Sequence, residues 1–241
     1  MIKKNLKRNL ILGILFFLPV MFLLILYPST HNYNPLDIVN ENVLDLEQFT
    51  SDSDDIIRLE DHITILGFIG KTPMNNVIGT SNLKELVYDK FKGFKHFQIV
   101  LVSPLGAENG AKDLESEINN NEHLKYLHFV FANQSTINNL FNSLKSASPL
   151  DTDFATNNIF IIDKDLNQRG RIDDRTDNEI ASNKPVKALN SYNTIEVAEI
   201  KNKMSEDVRI LFTEYRQKRK GKFDSSTRRA EDIKQNHEQE N

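Results

Sequence analysis

The sequence predicts an α/β domain with a mostly parallel sheet flanked by helices, preceded by one N-terminal transmembrane helix. Three observations support this prediction. Short apolar runs rich in β-branched residues alternate with segments of helical periodicity. The elements follow the order β-α-β-α-β-α-β-β-α, in which the final β-β-α is typical of thioredoxin-like domains. The segment from Leu10 to Tyr27 contains no charged residue.

The N-terminal segment is interpreted as a signal-anchor. A helix over residues 10–27 is about 27 Å long, close to the hydrocarbon thickness of a bilayer. Residues 1–9 contain four basic residues and no acid. They are expected to stay in the cytoplasm, which leaves the rest of the chain on the periplasmic side of the inner membrane. A cleaved signal peptide is the alternative, but it usually has a shorter apolar run and a small-x-small site, which is absent here.

The remaining chain is divided into three parts. Residues 28–60 are assigned to a spacer, residues 61–216 to the α/β domain, and residues 217–241 to a charged, disordered tail. The domain is predicted to contain four core strands and four helices. The strands are placed at 62–69, 97–102, 126–131 and 158–162, and the helices at 80–92, at 111–120, from 135, and along an apolar stripe from 197 to 215.

Composition excludes several kinds of chemistry. The chain has no cysteine, so it has no disulfide, thiolate nucleophile or thiolate metal ligand. Its net charge is −4, and basic residues concentrate at both ends, so the folded part is more acidic than the whole chain. An acidic domain argues against binding to nucleic acid.

A motif follows the first predicted strand. It reads Thr72-Pro73-Met74-Asn75-Asn76-Val77-Ile78-Gly79-Thr80-Ser81-Asn82-Leu83. It resembles the copper-site loop of the Sco/SenC family of thioredoxin-like copper chaperones, which are membrane-tethered and act in cytochrome oxidase assembly. The family loop reads Cys-Pro-x-x-Cys-Pro-x-x-Thr-x-Asn-Leu. Pro73, Thr80, Asn82 and Leu83 match this pattern.

The resemblance extends over residues 61–215, and it implies that three ligand positions are degenerate. Thr72 and Asn76 stand where the family has cysteines. The family histidine lies five residues before a strand aromatic, and counting back from Phe160 gives Ala155. Copper(I) prefers soft ligands, which threonine, asparagine and alanine do not provide. No metal site, catalytic residue or cofactor is therefore expected.

The resemblance then implies a non-enzymatic interaction or assembly factor related to respiratory oxidase biogenesis. Pro73, Met74, Asn75 and Thr80 would form its partner-recognition loop. The expected partners are the membrane and a protein of oxidase assembly, and the sequence gives no indication of oligomeric state.

Two other interpretations stay open. One is an enzyme that uses hydroxyl and carboxylate chemistry on the same scaffold, and the other is a plain structural exported domain. The six histidines are interpreted as structural or surface residues, and His62 as the residue that opens a strand. The thioredoxin-like interpretation requires Thr72 to follow the first core strand and to lie near Ala155.

Overall fold

The computed structural model describes residues 11–22, 35–51, 56–119 and 121–219, and it divides the chain into units of residues 1–34 and 35–241. In the first unit, a helix, α1, covers residues 11–22. Within the described ranges, no helix has both the length and the apolar character needed to cross a bilayer. Part of the predicted anchor, the whole basic segment 1–9 and most of the predicted tail lie outside the described residues.

The second unit contains one mixed sheet. Its strands are β1 (Asp37–Asn40), β2 (Thr50–Ser51), β3 (Ile63–Ile69), β4 (Phe97–Pro104), β5 (Leu127–Ala132), β6 (Ala155–Ile162), β7 (Gln168–Gly170) and β8 (Tyr192–Asn193). The spatial order is β1-β7-β6-β3-β4-β5-β2, and β8 pairs with β6. The four predicted core strands correspond to β3, β4, β5 and β6.

The helices follow the predicted alternation. A 3₁₀ turn (Pro73–Asn76) leads into α2 (Val77–Leu83), which continues through a π-helical segment (Lys84–Tyr88) into α3 (Asp89–Phe91). The others are α4 (Glu108–Ile118), α5 (Gln134–Asn142), α6 (Asp177–Ala181), a second π-helical segment (Glu199–Met204) and α7 (Ser205–Arg219).

The prediction of a mostly parallel sheet is wrong. Only β3, β4 and β5 run parallel, whereas β6 is antiparallel to β3. Soon after α5, the Lys145 N–H donates to the side-chain oxygen of Gln168 (2.7 Å). Gln168 lies at the edge of the sheet where β3 begins, because it pairs with Ile162, which pairs with Thr64. The carbonyl of Asp153 accepts from Lys71 at the edge where β3 ends (2.9 Å). The segment between them therefore returns the chain across the sheet, and β6 starts at the end of β3 and runs against it.

Helices cover both faces of the sheet, as predicted for this fold class. One core lies under α2, α3, α4 and α7, and the other lies under α5 and the segment that precedes β3. In the second core, the rings of Phe68, Phe141 and Phe160 pack edge to face, with centroids 5.3–6.3 Å apart. This geometry suits the quadrupoles of aromatic rings.

Residues 35–51, here called the N-terminal strap, belong to the domain although the sequence analysis assigns them to a spacer. Leu36, Val43 and Leu46 are each at most 4% exposed. β1 pairs with β7 at one edge of the sheet, and β2 pairs with β5 at the other. The strands β1 and β2 were missed because they are short and all their partners are distant in sequence.

Candidate functional site

The loop that follows β3 lies tightly against the loop that precedes β6. Gly70 has a φ of +72°, and a Cβ at this position would lie 2.7 Å from the carbonyl oxygen of Asp153 and 2.8 Å from the Cβ of Ala155. The Lys71 N–H donates to the same carbonyl (2.9 Å). Only glycine fits both this backbone conformation and this close approach. The motif is therefore held at the carboxyl edge of the sheet.

The three degenerate ligand positions lie together. Thr72, Asn76 and Ala155 line one open cleft of about 530 Å³. Thr72 lies three residues after Ile69, the last residue of β3, and Ala155 pairs with Ile69. The cleft is otherwise lined by backbone and by polar and small apolar side chains: Ile69, Asn75, Pro149, Leu150, Asp151, Asp153, Thr156 and Asn157. This neighbourhood is the one that the thioredoxin-like interpretation requires.

The polar groups of the cleft mostly serve the backbone. The side-chain amide of Asn76 donates to the carbonyl of Ile69 (2.9 Å). One carboxylate oxygen of Asp151 accepts from the N–H groups of Asp153 and Ala155, both at 2.8 Å. Asp151 therefore closes a turn, because its oxygen satisfies two backbone donors.

Lys71 links the loop that follows β3 to the loop that precedes β6. Its ammonium donates to the carbonyl of Thr152 (3.0 Å) and lies 4.0 Å from the carboxylate of Asp153. It also lies 5.2 Å from the ring centre of Phe154, which has a φ of +64°. Thr152, Asp153 and Phe154 therefore all contact the ammonium of Lys71.

The matched motif positions have structural roles. Pro73 is buried, and a Cβ at Gly110 of α4 would lie 3.1 Å from its ring. The buried Thr80 donates its hydroxyl hydrogen to the carbonyl of Asn76 (2.9 Å), and the Asn82 amide donates to the carbonyl of Thr194 (2.9 Å). Of the predicted recognition residues, Met74 and Asn75 are exposed, whereas Pro73 and Thr80 are buried.

Exposed apolar side chains lie next to the motif. Met74 is 39% exposed and Ile78 is 65% exposed, and they are four positions apart on the turn and helix. Ile195, in the turn after β8, is 44% exposed, and Val197, in the helical residues that precede the second π-helical segment, is 48% exposed. A Cβ at Gly79 would lie 3.6 Å from the Cδ1 of Ile195, so the two segments adjoin. We call these four residues the apolar patch.

The side chains that line the cleft carry hydroxyl, amide, carboxylate and apolar groups. In the part of the chain that the structure describes, no group of three or more histidine, cysteine, aspartate or glutamate side chains is placed to hold a metal ion. The residues that line the cleft include no histidine. Hydroxyl, amide and methyl groups at the three degenerate positions do not match the preference of copper(I) for sulfur.

Sequence reasoning missed a buried ion network at the other end of β6, away from the cleft. Arg169 donates to Asp163 (2.8 Å), to Glu214 (2.5 Å) and to the carbonyl of Leu36 (2.9 Å). Burial lowers the pKa of Arg169, but the two carboxylates outweigh it and the pKa is raised. The network joins the β6–β7 hairpin, α7 and the strap. No local signal in the sequence pairs Arg169 with Glu214, which lies 45 residues later.

A second cluster fixes the same helix to the hairpin. Arg171 donates to the fully buried carboxylate of Asp207, which also accepts from the hydroxyl of Tyr192 (2.6 Å). Burial raises the pKa of Tyr192 well above its usual value, and the adjacent Asp207 carboxylate adds to the effect. These residues support the fold and lie outside the cleft.

No protein-family model matches the chain, and no curated protein matches it. Solved structures similar to it include BsSco, described as a member of the Sco family of cytochrome c oxidase assembly proteins. BsSco is 17% identical, with a TM-score of 0.49, over 73% of this chain and 96% of BsSco. ScoI from Bradyrhizobium japonicum with copper bound is 14% identical, with a TM-score of 0.39, over 70% of this chain and 98% of its own.

A putative protein disulfide isomerase from Bacteroides thetaiotaomicron is also similar, at 10% identity and a TM-score of 0.48, over 77% of this chain and 99% of its own. Sco-family proteins thus stand among the structural neighbours of this cysteine-free chain. At these identities and TM-scores, the likeness transfers no activity to it.

Proposed function

We propose that this chain is a membrane-tethered, non-catalytic thioredoxin-like protein that binds another protein at the carboxyl edge of its sheet. The observation that carries the proposal is the apolar patch. It lies beside the cleft that is lined by Thr72, Asn76 and Ala155, the positions at which the resemblance implies that metal ligands have been lost. We further propose that the bound protein belongs to respiratory oxidase assembly, as the resemblance of the motif to the Sco/SenC loop implies.

The composition of this edge suits a protein interface. Interfaces have an apolar centre that is enriched in methionine and aromatic residues, and a polar rim. Here Met74 and Ile78 form the apolar part, while Thr72 and Asn75 are exposed and polar beside them. On soluble proteins, an exposed apolar cluster with a polar border usually marks a binding site.

The loop is also pre-organised. Gly70, the bond from Asn76 to the end of β3, and the contact of Pro73 with α4 hold it in one conformation. A loop that is already ordered loses little conformational entropy on binding, so more of the contact energy appears as affinity. An ordered loop of this kind suits binding to a protein partner.

The recognition surface is tested by capture from membranes. Full-length chain, tagged and solubilised in mild detergent, is compared with Ile78→Glu and with the control Ile180→Glu on α6, where Ile180 is 48% exposed. We expect Ile78→Glu to reduce recovery of oxidase or copper-pathway proteins by about tenfold or more, since burying a charge in an interface centre costs at least 1.4 kcal/mol. The control should bind as the native chain does.

Two results would contradict the proposal. Equal losses in both variants would show that the apolar patch is not the binding surface. Recovery of no oxidase or copper-pathway component by the native chain would sink the assembly role and leave only a general binding role.

The membrane tether is tested separately by cysteine labelling. Because the native chain has no cysteine, an introduced cysteine is its only labelling site. Single cysteines are introduced at Asn5 and at the exposed Ser182. In spheroplasts, an impermeant maleimide should label Ser182→Cys, and it should label Asn5→Cys only after lysis. A mature chain that has lost the Asn5 label altogether would indicate a cleaved signal peptide in place of an anchor.

A further inference from the structure

Two histidines lie side by side at the edge of the sheet opposite the cleft. His62 precedes β3 and His96 precedes β4, and these strands are parallel neighbours in which Ile63 pairs with Phe97. The Ile63 N–H donates to the carbonyl of His96 (2.8 Å), so the two backbones are fixed against each other. The ring centres are 5.7 Å apart, and the ring planes are inclined by 56°.

This separation suits two imidazoles that bind the same ion. With metal–nitrogen bonds of about 2.1 Å and a tetrahedral angle between them, the ring centres lie about 5.2 Å apart. The observed distance exceeds this value by a few tenths of an ångström, which small side-chain rotations supply. His62 is half-buried and His96 is exposed, so an ion reaches both rings from solvent.

One ring already has the hydrogen bond that metal-ligating histidines usually make. The Nδ1 of His62 lies 2.9 Å from the carbonyl oxygen of Glu60. A carbonyl only accepts, so Nδ1 carries the proton and Nε2 keeps its lone pair. Such a bond fixes the tautomer and orientation of a ligand and raises its basicity.

The charges around the pair act in two ways. Burial lowers the pKa of His96, and Lys164, His62 and Lys95 lower it further, while Asp61 opposes them. A neutral imidazole is the form that binds metal, and a lowered pKa favours that form. The two lysines also repel an incoming cation, which limits the affinity.

We propose that His62 and His96 form a two-imidazole site for a borderline divalent metal ion such as Cu²⁺ or Zn²⁺, with water completing the coordination shell. Imidazole suits these ions. Since no third histidine or carboxylate is placed to ligate among the described residues, the site is open and its ion exchangeable. This site is separate from the apolar patch and does not depend on the proposed function.

The test is a Cu²⁺ titration of the full-length chain in detergent, in the presence of glycine as a weak competing chelator. His96→Asn keeps a residue that tolerates the φ of +64° at this position, and His62→Gln removes the other ring. Each is expected to weaken Cu²⁺ binding by at least tenfold. The control His123→Gln should leave it unchanged. Electron paramagnetic resonance of the native complex should show two imidazole nitrogens on copper.

A third variant changes the affinity without touching a ligand. Lys164→Gln removes a repelling charge and should strengthen Cu²⁺ binding severalfold. Each variant is first shown to melt at the temperature of the native chain without metal. Binding that persists in the double variant His62→Gln/His96→Asn, or a spectrum with no imidazole nitrogen, would overturn the assignment.

Discussion

Replacing Arg169 by methionine removes the cation that two buried carboxylates share. The side chains of Arg169, Asp163 and Glu214 are 3%, 1% and 3% exposed. Methionine fills a similar apolar volume, so the main loss is electrostatic. Removing one partner of a buried ion pair typically costs about 3–5 kcal/mol, because the other charge stays buried without compensation.

The contacts that remain place the loss at the lower end of this range. Asp163 keeps the bonds that its other carboxylate oxygen accepts from the N–H groups of Asp165 and Asn167, at 3.0 and 2.9 Å. Glu214 keeps Lys218 at 3.0 Å. The carbonyl of Leu36 loses its guanidinium donor. We therefore expect a loss of about 3 kcal/mol in the free energy of unfolding.

The measurement is urea unfolding of the full-length chain in detergent, followed by circular dichroism. The control Arg209→Met removes an exposed ion pair with Glu206, whose side chains are 63% and 50% exposed, and should cost no more than about 1 kcal/mol. Adding Glu214→Gln to Arg169→Met should recover part of the loss. A loss below about 1 kcal/mol for Arg169→Met would refute the view that this network holds the hairpin, α7 and the strap together.

Three further predictions use the same chain. Gly70→Ala places a Cβ 2.7 Å from a backbone oxygen at a φ of +72°. It should lower the free energy of unfolding by about 2 kcal/mol or more in the urea assay. A variant as stable as the native chain would contradict this close approach. Tyr192 has a pKa raised above 10.0 by burial and by Asp207. Its contribution is therefore present below pH 10.0 and lost as the pH rises above it, and Tyr192→Phe should flatten the alkaline limb of a stability profile. Glu179 has a pKa lowered from 4.5 to about 2, chiefly because it accepts from the Thr176 N–H. Its contribution is present above pH 4.5 and lost as the pH falls toward 2, and a carboxyl NMR titration should give that low midpoint. A midpoint near 4.5 would show that Glu179 does not accept from the Thr176 N–H.

The core of the fold could be predicted because its signals are local. β3 and β4 are continuous apolar runs, and the helices between them have regular apolar faces. The direction of β6 could not be predicted, because it depends on a return segment that has no periodicity. The strap could not be predicted either, since β1 and β2 are short and gain their hydrogen bonds only from β7 and β5.

The candidate site was predicted in part for the same reason. The motif fixes Thr72 at the end of a strand, and spacing from Phe160 places Ala155 beside it, as the structure has them. The apolar patch was not predicted, because Ile195 and Val197 reach it from a distant segment. Local patterns specify elements, whereas surfaces assembled from several segments depend on the tertiary fold.

The strap also sets the order in which the chain is completed during synthesis. Its residues leave the ribosome before the strands that they pair with, since β2 pairs with Phe131 and the carbonyl of Leu36 accepts from Arg169, which lies 133 residues later. The two edges of the sheet therefore stay open until most of the domain has been made, and unpaired edges and exposed apolar surface favour association with other chains. β2 gains its partner when β5 has been made, whereas β1 gains its partner only with β7, so the two edges of the sheet are closed at different stages of synthesis.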